Sequence, residues 1–298
     1  MTARDVPSGD PARIATPRPG DPALARLSLN QRTTARWSLP QAVAGCVERG
    51  IGAIGLWREP VAEVGTAAAA RLVADAGLRV SSLCRGGFFT GPDPAAAHRD
   101  NLDALDEAAA LGCEVLVLVP GGLPAGDRDL PGARARVAEA VAALAGPARE
   151  RGVRLGIEPM HPIYTADRGV VATLGQALDL AEQHPANVVG VVVDTFHVWW
   201  DPDVAERIAR AGERIVSYQI SDWITPLPPD ALLSRGMVGD GHIDFAALTR
   251  AVRDTGYRGD VEVEIFNADV WAADGAAVLA TIARRYAEFV APHLGADR

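Results

Sequence analysis

VGVVVDTFH, residues 189–197, is the stretch of sequence that decides the fold of this chain. Its first five residues are valine or glycine, without the polar alternation of a half-exposed strand. Such an unbroken apolar run is typical of a strand that is buried on both faces of a parallel sheet. The run ends at an acidic residue, Asp194, and three similar runs also carry a polar residue near their C-terminal ends. They are LGIEP at 155–159, IVSYQISDW at 215–223 and VEVEIF at 261–266.

Short apolar runs alternate with longer helical patterns from Leu24 onward, and the alternation repeats eight times. Glycine ends several of these helical patterns, and it favours the left-handed conformation that follows a last helical turn. Eight strand–helix pairs in about 270 residues predict an α/β fold, a single (β/α)8 TIM barrel. An open, doubly wound sheet is the alternative, but no GxGxxG motif follows the first strand.

The N-terminal segment differs in composition from the rest of the chain. MTARDVPSGDPARIATPRPGDP is rich in Pro, Gly, Arg and Asp and has no apolar region of the kind found in secretory signals. We therefore expect residues 1–23 to be a disordered tail and residues 24–298 to form the barrel domain.

Composition excludes several classes of partner. The net charge is −9 and no basic run occurs, which argues against nucleic acid, and no apolar stretch is long enough to span a membrane. The cysteines are odd in number and widely spaced, so we expect reduced, buried thiols in a cytoplasmic protein. They are Cys46, Cys84 and Cys113. A small molecule is the expected partner, and the sequence leaves a homo-oligomer open.

Polar residues at the four strand ends should meet, because the carboxyl ends of barrel strands form one rim where active sites are built. They are Glu158, Asp194, Gln219 and Glu264. A buried charge is costly unless it is paired or bound to metal, and the same runs carry almost no basic residues. Three carboxylates and an amide favour a divalent cation, Mn²⁺ first, with Mg²⁺, Co²⁺ or Zn²⁺ as alternatives.

Further polar and aromatic residues fall near the same rim. His197 follows Asp194 by three residues, so a turn must follow the strand before the two can converge. His197 is a candidate for orienting a neighbouring ligand side chain, for contacting substrate or for binding metal. Arg235 presents a fork suited to hydroxyl, carboxylate or phosphate groups, and Trp57 and Asp222 are further candidates for the pocket. Asn30, Glu59, Arg85 and, more weakly, His161 could also line it.

A long connection from about Trp223 to Ile243 follows the seventh strand. A loop of this length at the functional rim indicates a lid or a substrate wall.

Several motifs together resemble the xylose-isomerase-like TIM-barrel superfamily, the sugar phosphate isomerase/epimerase group, between about Leu24 and His293. They are GIEP at 156–159, VDTFH at 193–197, QISD at 219–222, R-x-x-x-GDGHIDF at 235–245 and VEVEIF at 261–266. The resemblance implies four metal ligands, at Glu158, Asp194, Gln219 and Glu264. It also implies substrate contacts at His197 and Arg235, and proton transfer by Glu158 and Glu264, with His197 assisting.

One position departs from the pattern of the epimerases in this group. Many of them carry His where this chain has Gln219, and Gln there is more similar to dehydratase branches such as the 3-dehydroshikimate and inosose dehydratases. This difference at Gln219 therefore leaves lyase activity as an alternative.

The sequence thus predicts a divalent-metal-dependent isomerase or epimerase that acts on a keto-sugar or keto-polyol through an enediolate. The alternative is a lyase or dehydratase that uses the same site for β-elimination from a keto-sugar, keto-glycoside or dehydroshikimate-like substrate. A non-catalytic binding module is less favoured, since all four strand-end positions carry an oxygen atom that can bind a metal ion. No glycine-rich phosphate loop stands out, which favours an unphosphorylated substrate.

Overall fold

The eight apolar runs form one closed parallel barrel in the computed structural model, which describes residues 15–295. In chain order the strands are β1 (Leu27–Asn30), β2 (Ala53–Trp57), β3 (Arg79–Gly87), β4 (Val115–Val119), β5 (Arg154–Ile157), β6 (Val189–Asp194), β7 (Ile215–Ile220), β8 (Asp222–Trp223), β9 (Arg235–Gly236) and β10 (Val261–Val263). Strands β1 to β7 pair in sequence, and β10 closes the barrel between β7 and β1. Strands β8 and β9 lie outside the barrel and pair with each other. The (β/α)8 prediction is confirmed, and the open sheet is excluded.

Helices connect the barrel strands. They are α1 (Leu39–Arg49), α2 (Arg58–Val64), α3 (Thr66–Asp75), α4 (Pro94–Ala110), α5 (Leu130–Glu150), α6 (Leu174–Ala181), α7 (Thr195–Val198), α8 (Val204–Ala211), α9 (Phe245–Asp254), α10 (Ala268–Ala272) and α11 (Gly275–Phe289). Short 3-10 turns lie at Pro22–Leu24, Gln31–Thr34, Pro162–Tyr164, Gly212–Arg214, Ala231–Leu233 and Ala291–His293.

Local signals explain where several helices begin and end. Ser38 caps α1 in a reciprocal pair with Gln41, and Gly50 ends the same helix in the left-handed region at φ 74°. Helix α2 is an addition that the sequence pattern did not reveal, because its seven residues follow β2 directly and carry only one buried side chain.

The expected tail falls largely outside the described part of the chain, which begins at residue 15. The division at residue 24 stays a prediction. The three cysteines are buried and free, as predicted. Among residues 15–295, no helix combines the length and the apolarity that a membrane crossing requires.

Side chains of the closing strand β10 alternate between two environments. Val261 and Val263 join the large apolar core formed with the helices. Glu262 lies inside the barrel, where its carboxylate accepts hydrogen bonds from Asn30 of β1 and Ser82 of β3. Because alternate residues of a strand point to opposite faces, Glu264 follows Glu262 towards the interior. The barrel interior is therefore polar at the end where the strands finish.

Gly55 on β2 leaves the room that the buried Glu262 side chain occupies. A Cβ atom at this position would overlap the Glu262 carboxylate. The Glu262 carboxylate cannot move away freely, because its Oε2 atom accepts hydrogen bonds from Ser81 and Ser82 at 2.6 and 2.8 Å. The glycine is thus required by close packing and not by backbone conformation.

Substitution Gly55→Ala should lower the free energy of unfolding by about 1–3 kcal/mol, since the added methyl overpacks a rigid interior. The matched control is Gly175→Ala near the start of α6, where the new Cβ would make ordinary contact with the Arg207 side chain. That change should be neutral or stabilising by up to about 1 kcal/mol. Urea denaturation of both variants measures the difference, and equal stability of the two would contradict this account of Gly55.

Candidate active site and metal centre

A cavity of about 300 Å³ opens at the carboxyl ends of the barrel strands. Its wall includes Trp57, Glu158, His197, Arg235 and Glu264. A larger cavity of about 710 Å³ lies at the opposite end, among residues at the beginnings of strands. Active sites of this fold occupy the carboxyl end, so the smaller cavity is the candidate site.

The turn that follows β6 brings two predicted residues together. Helix α7 begins at Thr195, directly after Asp194, and this places His197 back over the strand end. His197 Nε2 lies 3.8 Å from Asp194 Oδ2 and 3.7 Å from Glu158 Oε1. Ligand atoms of these three residues all lie within 4.8 Å of one another, a spacing suited to a metal ion. The turn that the D-x-x-H spacing required is confirmed.

Arg235 is buried between the carboxylates of the rim. Its Nη1 donates to Asp194 Oδ2 at 2.6 Å and to Ser221 Oγ at 3.1 Å. Its Nη2 lies 3.2 Å from Glu264 Oε2. The guanidinium therefore neutralises part of the negative charge that β6 and β10 bring to the rim.

Strand pairing within the long connection positions Arg235. Residues Trp223 and Arg235 pair across the short antiparallel strands β8 and β9. Asn267 adds a side-chain hydrogen bond to the Arg235 carbonyl at 2.9 Å. The connection predicted as a loop thus contains ordered structure that delivers a side chain to the site.

Asn30 links the first strand to the glutamates of the last strand. Its Nδ2 donates to Glu262 Oε1 at 2.6 Å and to Glu264 Oε1 at 3.0 Å. Its Oδ1 accepts from Trp57 Nε1 at 2.9 Å, which fixes the orientation of the amide. One amide thus holds Glu264 in place and positions Trp57 at the cavity wall.

Glu262 is one of the residues of this site that sequence reasoning missed, and Arg32 and Arg168 of the cavity wall are two others. The Glu262 carboxylate accepts a hydrogen bond from Gln219 Nε2 at 3.3 Å, so the amide nitrogen of Gln219 faces Glu262. The amide oxygen of Gln219 therefore faces away from Glu262. The available signal was the spacing in VEVEIF, because two glutamates two residues apart share one face of a strand.

Two buried oxygens test whether these residues suit a cation. Glu158 Oε1 and Gln219 Oε1 are buried and have no hydrogen-bond donor among residues 15–295. A buried acceptor without a donor costs free energy, and a divalent cation would satisfy it. Carboxylate and amide oxygens are also ligands that hard divalent ions prefer. The residues fit such a cation, and the set of Glu158, Asp194, Gln219 and Glu264 stays a prediction.

Burial shifts the acid–base behaviour of the rim. It raises the pKa of Glu158 well above the usual range, with the charges of Glu264 and Asp194 acting in the same direction. It also raises the pKa of Glu264 to about 8, although the Arg235 charge opposes the shift. Burial thus favours the protonated form of both glutamates when no cation is bound.

His197 is a neutral imidazole with a donor group beside each of its ring nitrogens. Burial lowers the pKa of His197 well below 6.5, and the Arg235 charge adds to the effect. Nδ1 lies 3.0 Å from the His161 backbone nitrogen, and Nε2 lies 3.0 Å from Arg235 Nη2. These two contacts fix the orientation of the ring, and they place His197 and Arg235 side by side at the cavity wall.

Asp222 anchors the long connection. Its carboxylate accepts backbone hydrogen bonds from three residues of this connection, Gly239, Gly241 and Ile243, at 2.8–3.0 Å. Neither Asp222 nor the predicted metal ligands Asp194 and Gln219 belong to the cavity wall that the described residues form. The predicted contact of Asp222 with substrate stays a prediction.

Known proteins resemble this chain in both sequence and structure. Residues 43–282 match the family model described as xylose isomerase-like TIM barrel. A protein of Sinorhizobium meliloti 1021, known from its crystal structure, superposes with a TM-score of 0.87 at 46% identity, covering 90% of this chain and 99% of that one.

Two curated relatives carry named activities. An L-ribulose 3-epimerase of Mesorhizobium japonicum is 28% identical over 83% of this chain and 83% of its own length. A 3-dehydroshikimate dehydratase of Pseudomonas aeruginosa is 32% identical over 51% of this chain. The matched part is 23% of that dehydratase.

Binding of Mn²⁺ should tighten as pH rises from 6 to 8. Below the Glu264 pKa of about 8 a proton occupies the carboxyl and competes with the cation, so affinity should rise by up to about tenfold per pH unit for each proton displaced. Calorimetric titration in buffers of different ionisation enthalpy measures both the affinity and the released protons.

Variant Glu264→Gln should bind Mn²⁺ more weakly and with a flatter pH dependence. Glu63→Gln, a change of an exposed carboxylate on α2, is the control and should behave as the unchanged protein. An affinity that is equal at pH 6 and pH 8 in the unchanged protein would contradict the assignment.

Proposed function

This chain belongs to the xylose isomerase-like TIM barrel family, and from that premise we propose that it is a divalent-metal-dependent isomerase or epimerase of a keto-sugar or keto-polyol. The observation that carries the proposal is a pair of buried glutamates, Glu158 and Glu264, that face one small cavity. Their strands, β5 and β10, lie three places apart around the barrel, so the two carboxyls reach the cavity from different directions.

Raised pKa values suit these glutamates to proton transfer with carbon. One ionised glutamate removes the proton from the carbon next to the substrate carbonyl. The electron pair of the broken C–H bond forms a carbon–carbon double bond, and the π pair of the carbonyl moves onto its oxygen, which gives an enediolate. The other glutamate, or the same one, returns a proton to carbon. An acid or base works best when its pKa lies near the working pH, and burial moves both residues in that direction.

A bound divalent cation would be held by Glu158, Asp194, Gln219 and Glu264, and it would supply Lewis-acid stabilisation of the negative charge that develops on the substrate oxygens. The same cation would also lower the pKa of the neighbouring carboxyls, which keeps a base ionised at neutral pH.

His197 and Arg235 are the proposed substrate contacts. His197 Nε2 and Arg235 Nη2 lie 3.0 Å apart at the cavity wall. A substrate oxygen beside this pair can accept a hydrogen bond from the guanidinium, which carries donors only, and can contact the edge of the imidazole. This arrangement would orient the substrate and stabilise its developing negative charge.

A lyase or dehydratase is the second candidate function. It is favoured by Gln219 and by the likeness to the Pseudomonas aeruginosa dehydratase over half of this chain. The first step would be the same proton removal. The resulting enolate would then expel a leaving group from the β carbon, and the glutamate proton would go to that group.

Exchange in D₂O separates the two candidates. The Mn²⁺-loaded protein is incubated with a panel of ketoses, keto-polyols, keto-glycosides and dehydroshikimate, and products are followed by NMR and mass spectrometry. Carbon-bound deuterium in a product with the elemental formula of the substrate supports the isomerase or epimerase. Loss of water or of an aglycone supports the lyase, and neither exchange nor loss across the panel would count against both.

Glu264→Gln should reduce deuterium exchange by about 10²- to 10⁴-fold, because an amide cannot accept the carbon-bound proton. The amide has the size of the carboxyl and can keep a hydrogen bond with Asn30, so thermal unfolding should change little. Glu63→Gln serves again as the control. Full exchange by Glu264→Gln would rule out a proton-transfer role for this residue.

A further inference from the structure

Three arginines besides Arg235 line the cavity, among the residues that the structure describes. They are Arg32 in the turn after β1, Arg85 on β3 and Arg168 in the connection after β5. All three are half-buried. Neither the acid–base pair nor the candidate metal centre uses any of them.

Arg85 makes no hydrogen bond or ion pair through its guanidinium within residues 15–295. Its contacts are aromatic: the guanidinium carbon lies 4.2 Å from the Phe88 ring centroid and 6.0 Å from the Trp57 ring centroid. Burial lowers the pKa of Arg85, an effect that the neighbouring Glu59 carboxylate opposes and the positive charges of Arg168 and Arg32 reinforce. Burial and the neighbouring arginines thus disfavour the charge of Arg85, and no hydrogen-bond acceptor in the described part of the chain offsets this cost.

The neighbouring arginines are only weakly compensated. Arg32 lies 3.3 Å from Glu59, whose side chain is 54% exposed. Arg168 Nε lies 3.5 Å from an Asp167 side chain that is 61% exposed, and it has no hydrogen-bond acceptor among the described residues. Ion pairs with exposed carboxylates contribute little, so positive charge remains at this wall.

Packing alone does not account for the arrangement. Arg32 stacks on Trp57 at 4.7 Å from the ring centroid, and Arg85 approaches the same ring. Stacking on an aromatic ring gains about 0.5–2 kcal/mol for each cation. It does not require like charges around one cavity, where they repel one another. A planar guanidinium with free N–H groups is instead the best protein partner for a carboxylate or phosphate.

We propose that the substrate carries an oxoanion, a carboxylate or a phosphate, and that Arg85, supported by Arg32 and Arg168, binds it while Glu158 and Glu264 act on the keto end. The inference rests on the function proposed above and narrows its substrate class to acidic keto-sugars. A volume of about 300 Å³ is at the small end of ligand sites, which favours a single sugar unit over a glycoside.

The test is a binding titration with three ligands that share one carbon skeleton. D-fructose is neutral, D-fructuronate carries a carboxylate at its last carbon, and D-fructose 6-phosphate carries a phosphate there. Calorimetry with Mn²⁺-loaded protein should give at least one anion an affinity about tenfold or more above that of D-fructose. The anion that binds more tightly identifies the source of the oxoanion.

The variant Arg85→Met keeps an unbranched side chain that can pack against Phe88, but it removes the guanidinium group. The ratio of anion affinity to D-fructose affinity should fall by about 10- to 100-fold in this variant. Arg71→Met, on the exposed face of α3, makes the same change in net charge and should leave the ratio unaltered. Thermal unfolding checks that both variants fold.

Two outcomes would overturn the proposal. If the anions bind no more tightly than D-fructose, the cavity has no anion site. If the affinity ratio is unchanged in Arg85→Met, Arg85 does not bind the anion. The titration measures binding without turnover. Failure of the deuterium exchange together with selective anion binding would therefore refute the isomerase and leave the anion site standing, whereas exchange without anion selectivity would do the reverse.

Discussion

The ion pair between Arg235 and Asp194 is the interaction on which the rim of this barrel depends. It joins the two side chains at 2.6 Å, and the same guanidinium reaches Glu264. Carboxylates packed this closely in a protein interior repel one another, and burial penalises the charged form of each. A buried guanidinium offsets both costs. The barrel can therefore keep a group of acids at one end, and the acids provide the chemistry.

That ion pair in turn depends on the connection that follows β7. Asp222 anchors the connection through backbone N–H groups of residues 239–243, and the β8–β9 pairing sets the position of Arg235. Because Arg235 comes from this connection and not from a barrel strand, the electrostatics of the site are coupled to the order of a surface segment. A movement of this segment would change the charge balance of the rim, and this links the dynamics of the connection to the acid–base pair.

The cavity contains acidic and basic groups together. Glu158 and Glu264 are carboxyls whose protonated form burial favours. Arg32 and Arg85 are guanidinium groups that lie over Trp57 and Phe88. A molecule with a carbonyl at one end and an anion at the other would gain from an orientation that brings the anion to the arginines. The reversed orientation would bring the anion to the carboxyls, and such a difference gives positional selectivity before any reaction takes place.

The sequence by itself determined the barrel and the composition of its rim. Buried strands appear as unbroken apolar runs and helices as longer periodic patterns, and these local signals located Glu158 and Asp194 at strand ends and required the turn before His197. Tertiary structure alone decided which side chains meet. Strand register and the path of a connection set the inward position of Glu262 and the entry of Arg235 between acids. They also leave the Arg85 guanidinium without an ion pair among residues 15–295. A local pattern records how deeply a residue is buried, whereas contacts between residues far apart in the chain are set by the closure of the barrel.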